Sequence, residues 1–284
     1  MGSAHLLFTV VDMCRLLGFV SRTETTIPDA LGTDFEAFTA LSAGLHADGW
    51  GLAAENASGR THAIAAEAAH SSARYAAAFS GTRTTSAIAH LRAATLDLAV
   101  AERNTHPFIH GNLSFAHNGS IREVAAIEPL IDADLRATLQ GETDSERYLL
   151  ALVSEMRRSS VVDAVRTVAE QLGDVADEAS INALLLTPDE LIIVADDPAK
   201  APAFLGADYY ELSYTVTDDY TAVASSGWER EGWHRVPERS VLTLDRRTLE
   251  LRASTTLTGP SLPRSPSPPR ARYLRHRSPS PASC

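Results

Sequence analysis

A cysteine stands directly behind a methionine near the start of the chain, Met13-Cys14, and that pairing allows a chemistry closed to internal cysteines. If translation starts at Met13 and the methionine is removed, Cys14 carries a free α-amine with an ordinary pKa of about 7.7–8.0. A thiol with an ordinary pKa of about 8.5 is a weak nucleophile at neutral pH until a base takes its proton. The amine of the same residue can be that base, so one residue supplies both nucleophile and proton acceptor. The competing reading of Cys14 is a small apolar side chain opening a buried strand, Arg-Leu-Leu-Gly-Phe-Val.

Other polar residues sit where segments change character. Arg92 closes an alternating run, Thr85–Leu91, and suits either an ion pair at a sheet edge or a clamp for a ligand carboxylate. Asn118-Gly119 follows the apolar run Leu113–Ala116. Asn-Gly ordinarily marks a tight hairpin turn. Here the next segment, Glu123 to Leu139, reads as a helix interrupted at Pro129. Strand, Asn-Gly and helix in series suit a loop presenting a side-chain amide beside a backbone N–H, the two donors of an oxyanion hole. Asp144 lies in Glu142-Thr143-Asp144-Ser145-Glu146, where Thr143 and Glu146 have the spacing of a helix capping box. Asp144 can complement the helix dipole or bind a ligand ammonium. His106, in the loop Asn104–Phe108, has the setting of a hydrogen-bonded structural histidine more than of a catalyst. Trp50, between Gly49 and Gly51, is either core or a pocket wall, and the glycines suggest close approach of another backbone.

The elements that must position these residues follow from pattern. Leu16–Val20 reads as a short buried strand, Ser21 to Pro28 as a loop, and Asp34–Ala43 as a helix capped by Thr33 or Asp34. Ala65–Ser80 is alanine-rich and helical in propensity. Helices are expected over Arg147–Arg157 and Val161–Leu172. Strands are expected over Asn182–Leu186, Leu191–Ala195, Tyr209–Thr217, Thr221–Ser225, Ser240–Leu244 and Leu249–Arg252, with Trp228 and Trp233 in a polar loop. Strands, paired helices and further strands indicate a layered α+β domain with antiparallel sheet.

Composition narrows the field. The chain has 284 residues, 44% hydrophobic and 21% charged, with a formal net charge of −11. Arg264, Arg270, Arg272, Arg275 and Arg277 lie in a tail without acids, so the body is more acidic still. That argues against a nucleic-acid surface. Two cysteines, Cys14 and Cys284, form neither a disulfide framework nor a metal motif, which points to the cytoplasm. No apolar run is long enough to span a membrane. Residues 1–12 are expected to be a start-site artefact or a removed leader. Residues 256–284, rich in Ser, Pro and Arg, are expected to be a disordered tail.

MCRLLGFV, HADGWGLA, AHLRAAT, NTHPF, LSFAHNGSI and ETDSE occur in this order over the first half of the chain. Together they resemble the class II glutamine amidotransferase domain of the N-terminal nucleophile hydrolase superfamily. The likeness extends over about residues 13–255, and the Val-Ala-Ser-Ser … Arg-Val-Pro-Glu-Arg segment near 223–239 is similar to stand-alone members such as the ergothioneine-pathway γ-glutamyl hydrolases. The resemblance implies a four-layer αββα sandwich with Cys14 at the end of a central strand. It implies that Cys14 attacks the side-chain amide of glutamine or a γ-glutamyl compound and that water hydrolyses the resulting thioester. Asn118 and Gly119 would be the oxyanion donors. Arg92 would hold the substrate α-carboxylate, Asp144 its α-ammonium, and Thr95 would line the same pocket. No metal and no cofactor are needed. The expected partner is a small-molecule substrate, with an acceptor synthase as the alternative recipient of ammonia. A silent ligand-binding protein is the expectation if Cys14 stays blocked. Two positions depart from the family pattern: Ala93 and Leu96 stand where many members have Trp and His, which bears on the pocket wall.

Overall fold

In the computed structural model, residues 14–94, 98–121, 124–175, 181–196 and 208–257 are described. The chain runs through β1 (Arg15–Thr25), α1 (Ile27–Leu31), α2 (Thr33–Ala40), β2 (Gly49–Asn56), β3 (Gly59–Ala65), α3 (Ala73–Gly81), β4 (Thr84–Arg92), β5 (Phe108–His110) and β6 (Leu113–Gly119). Next come α4 (Val124–Ile127), α5 (Ala133–Arg136), α6 (Asp144–Met156) and α7 (Val161–Val175). The last strands are β7 (Ile181–Leu186), β8 (Glu190–Ala195), β9 (Leu212–Val216), β10 (Tyr220–Ser225), β11 (His234–Arg235), β12 (Ser240–Asp245) and β13 (Leu251–Thr256).

Two antiparallel sheets result. One has the order β11-β9-β10-β1-β4-β2-β3 and the other β13-β12-β8-β7-β6-β5. Alternation along the strands sends successive side chains to opposite faces. On β1, Leu16 and Val20 join Ile88 against Leu184, Leu191 and Ile193 of the second sheet, so these residues fill the space between the sheets. Leu17 and Phe19 face the other way, onto Ile27, Phe38 and Phe79 from α1, α2 and α3. The outer face of the second sheet packs Phe115, Leu185 and Ile192 against Leu149, Leu152 and Val168 of α6 and α7. The order of layers is therefore helix, sheet, sheet, helix. With both faces of β1 covered, its side chains from Arg15 to Ser21 are all buried, which is why this stretch reads as a continuous apolar run.

Several boundaries differ from expectation. β1 continues through Ser21–Thr25, where a loop was expected, because its end pairs with Thr84 after a register shift. Pro28 opens α1, with the Thr26 hydroxyl accepting from Asp29 N; a proline near a helix start costs no internal hydrogen bond. Helix α2 is capped by Gly32 and not by Thr33 or Asp34. In the alanine-rich segment from Ala65, Ala65 ends β3, Ala69–Ser71 form a 3-10 turn, and the α-helix begins only at Ala73, behind Ser72, whose hydroxyl accepts from Tyr75 N. Asn118 and Gly119 are not in a loop: they end β6 opposite Asn182 and Ile181. The segment expected as one helix from Glu123 is two short helices, α4 and α5, parted around Pro129. Among the described residues no helix is long and apolar enough to cross a membrane. Residues 1–12, Met13, and nearly all of the expected tail, including Cys284, lie outside the described residues.

Candidate active site

Cys14 sits just ahead of β1, at the centre of the first sheet, beside the end of β4. It lines a small cleft together with Arg92, Gly119, Asp144, His106 and His117. The Cys14 thiol points at the Ala93 carbonyl, with Sγ 3.7 Å from the oxygen. Burial pushes it up to about 11, outweighing the pull of the Arg92 and Arg15 guanidiniums. The thiol is therefore protonated at neutral pH and needs a base. Arg15 is itself buried; its Nη1 donates to the Cys14 carbonyl at 3.0 Å and its guanidinium lies 4.0 Å over the Tyr209 ring.

The cleft carries one cation and one anion on its walls. Arg92 donates through Nη2 to the Ala99 carbonyl at 3.3 Å, while its buried Nη1 has no partner among the described residues. Burial lowers the pKa of this guanidinium from its ordinary value, and the nearby Cys14 and Asp48 offset part of that. A buried guanidinium with an unused N–H pair is suited to a ligand carboxylate. Asp144 begins α6. Its Oδ2 accepts from Ile121 N at 2.6 Å and its Oδ1 from Ser145 N at 2.8 Å. These bonds fix the carboxylate and leave lone pairs for a ligand donor.

Asn118 is buried behind Gly119, and its Nδ2 lies 3.4 Å from the Ser225 Oγ. Gly119 lines the cleft; Asn118 is set back from its surface. The roof over β2 is the loop carrying His106. A Cβ on Gly51 would lie 1.9 Å from the His106 carbonyl oxygen, so only glycine allows that approach. The His106 ring stacks on His90, centroids 4.2 Å apart. Burial drives both imidazoles down, His90 to about 3, so both are neutral in the physiological range. His117 is bonded through Nδ1 to the Ser145 Oγ at 2.9 Å.

A family model described as glutamine amidotransferases class-II matches residues 13–205, more than half of the chain. The chain belongs to this family. A curated relative, the probable glutamine amidotransferase DUG3 of Saccharomyces cerevisiae, is 27% identical over 218 residues, covering 60% of each chain. The glutamine–fructose-6-phosphate aminotransferase of Brucella suis is 30% identical over 150 residues, half of this chain but 24% of that one. The chain thus spans less than two thirds of both curated relatives. A glutamine aminotransferase class-II domain protein from Silicibacter pomeroyi shares the fold, with a TM-score of 0.59 at 18% identity over 84% of this chain and 99% of that one.

In this member of the family the cleft brings together Cys14, Arg92, Gly119, Asp144 and His106 among the residues singled out from sequence. Thr95 lies outside the described residues. Trp50 is not a pocket wall: it is buried on the helix-facing side, edge-on to Tyr75 and Phe79. Gly51 takes part only by admitting the His106 loop. Sequence reasoning gave no role to His117, Ser145, Asn104 or Ser225. They lie inside the quoted strings LSFAHNGSI, ETDSE, NTHPF and Val-Ala-Ser-Ser, so the strings marked them without separating them from their neighbours. Asn104 latches the cleft rim, donating to the Ala99 carbonyl at 3.1 Å and accepting from Glu142 N at 3.1 Å. Among the described residues no His, Cys, Asp and Glu group of three is placed to hold a metal ion.

Proposed function

We propose that the protein hydrolyses the side-chain amide of glutamine or of a γ-glutamyl compound, with Cys14 as an N-terminal nucleophile. The observation that carries this is the single cleft shared by a buried thiol, an arginine with an unused N–H pair and a fixed aspartate. Arg92 would take the α-carboxylate and Asp144 the α-ammonium, which sets the γ-carbonyl toward Cys14. The free α-amine of Cys14 accepts the thiol proton as Sγ attacks the amide carbon. The Gly119 N–H and the Asn118 amide receive the oxyanion. Collapse of the tetrahedral intermediate passes the proton from the Cys14 ammonium to the departing ammonia or amine, leaving a glutamyl thioester. Water, deprotonated by the same amine, then releases glutamate and restores the thiol.

The test uses the chain prepared to begin at Cys14 and follows ammonia and glutamate release from glutamine. Turnover that Cys14→Ala reduces by about 10³-fold or more is expected. No turnover of glutamine or of a panel of γ-glutamyl amides would sink the stand-alone hydrolase reading and leave a ligand-binding protein or a subunit active only with its synthase. A second reading is an ammonia-supplying subunit for a separate synthase, favoured by the Brucella suis relative, in which the matched segment is only 24% of the protein. Release of ammonia by the isolated chain without an acceptor separates the two.

A further inference from the structure

Ser225 ends β10, is fully buried, and stands in the Val-Ala-Ser-Ser run, to which the sequence assigned no role in the site. Its Oγ accepts the Leu16 N–H at 3.0 Å, two residues beyond Cys14, and lies 3.4 Å from the Asn118 amide. One hydroxyl therefore touches both the strand that carries the nucleophile and the side chain set to receive the oxyanion. With Nδ2 turned toward Ser225, Asn118 Oδ1 is buried with no partner among the described residues. A buried acceptor without a donor is costly, and a carbonyl oxygen repels an oxyanion. Rotating the amide half a turn removes both faults. A serine hydroxyl has one proton and two lone pairs. Leu16 N–H already occupies one lone pair and holds the oxygen in place, so the proton is free to go to Asn118 Oδ1. The Nδ2 hydrogens are then carried by the end of the amide turned away from Ser225.

We propose that Ser225 is a positioning residue for the oxyanion hole: its hydroxyl, fixed by Leu16 N–H, donates to Asn118 Oδ1 and so aims Nδ2 at the developing oxyanion. This rests on the hydrolase function proposed above. Ser225 touches no substrate; it acts through Asn118. Because it orients a donor used in the transition state, its loss falls on kcat and leaves KM nearly unchanged.

The experiment is a double-mutant cycle on the chain beginning at Cys14, with glutamine as substrate. Ser225→Ala is expected to lower kcat about 10–100-fold, a share of the loss that follows removal of an oxyanion donor outright. KM is expected to stay within about twofold. In an Asn118→Ala background the same substitution should cost nothing further in kcat, because the side chain it orients is gone. A residue that only packs the strands would lower the melting temperature and reduce kcat equally in both backgrounds. Equal losses in the two backgrounds, or a wild-type kcat in Ser225→Ala, would overturn the proposal while the hydrolase function stands. If Ser225→Ala does not fold, Ser225→Cys keeps the volume with a poorer donor and must give the same background-dependent loss. A wild-type chain that releases no ammonia overturns the function, and the role of Ser225 falls with it.

Discussion

At the scale of single residues, the site turns on how a thiol held near 11 becomes a nucleophile. Four units above neutrality leave roughly one thiol in ten thousand ionised at pH 7. Arg15 and Arg92 are too little, against burial, to change that. A local base is therefore required, and the Cys14 nitrogen serves only when it is an amine and not an amide. This can be read directly in a Cys284→Ser background, where Cys14 is the one remaining thiol of the two. With residues before Cys14 retained, iodoacetamide should label it very slowly at pH 7.5 and about tenfold faster per pH unit up to about 11. With Cys14 at the N-terminus, labelling at pH 7.5 should rise at least about tenfold and its pH dependence should flatten. Equal rates for the two forms, followed by intact mass, would remove the amine from the mechanism.

The elements explain what was legible in the sequence and what was not. Residues whose chemistry is local were legible: Cys14 behind a methionine, Asn118-Gly119 at the end of an apolar run, Arg92 at the end of another. The strands of the second half were legible too, since β7, β8, β10 and β12 lie within a residue or two of their apolar runs. One helix start was not. Alanine from Ala65 onward has helical propensity, yet Ala65 still pairs with Trp50 of β2 as the end of β3, and the helix waits for the Ser72 cap, whose hydroxyl accepts from Tyr75 N. Trp50 was ambiguous between core and pocket because side-chain direction depends on strand register, which flips with a one-residue slip. Ser225 was illegible because its role depends on β10 lying beside β1, a contact across 209 residues of sequence. Gly51 shows the same dependence from the other side: its meaning comes from the His106 loop, which no local pattern brings to β2. Gly51→Ala should drive backbone against backbone, since the added Cβ would meet the His106 carbonyl at 1.9 Å and the Pro107 ring at 2.8 Å. A loss of about 2–4 kcal/mol in unfolding free energy is expected, with lower turnover as the loop and its histidine are pushed off the cleft. A melting temperature unchanged in Gly51→Ala would mean that the loop does not lie on β2.

At the scale of the molecule, the site exists only where the sheets stack. Cys14 and Arg92 come from the first sheet, Gly119 from the second, and Asp144 from the helix layer behind it. At the other end of the strands Glu55 of β2 meets Arg246, from the turn between β12 and β13, at 3.1 Å, and also holds Arg60 of β3 at 2.7 Å. Near the cleft the space between the sheets is filled by His90 and His106, which are buried and face no carboxylate in ion-pair contact among the described residues. Acid should therefore open the sandwich from the catalytic end. His90 has an ordinary value of 6.5 and is held at about 3 in the fold, so between these values the unfolded chain binds a proton that the folded one does not. Its contribution is complete above about pH 6.5, declines as pH falls below that, and levels off below about 3. At pH 5 the gap is about 1.5 units, or about 2 kcal/mol from His90 alone, and His106, shifted in the same direction, adds to it. Urea unfolding at pH 7 and at pH 5 should show at least that drop, before most carboxylates titrate. His90→Gln cannot take up the proton, so whatever it costs at pH 7, its loss between pH 7 and 5 should be smaller than that of the wild type by about 2 kcal/mol. Equal losses in the two proteins would mean that His90 is protonated inside the fold, and that the neutral histidine stack is not what the two sheets close upon.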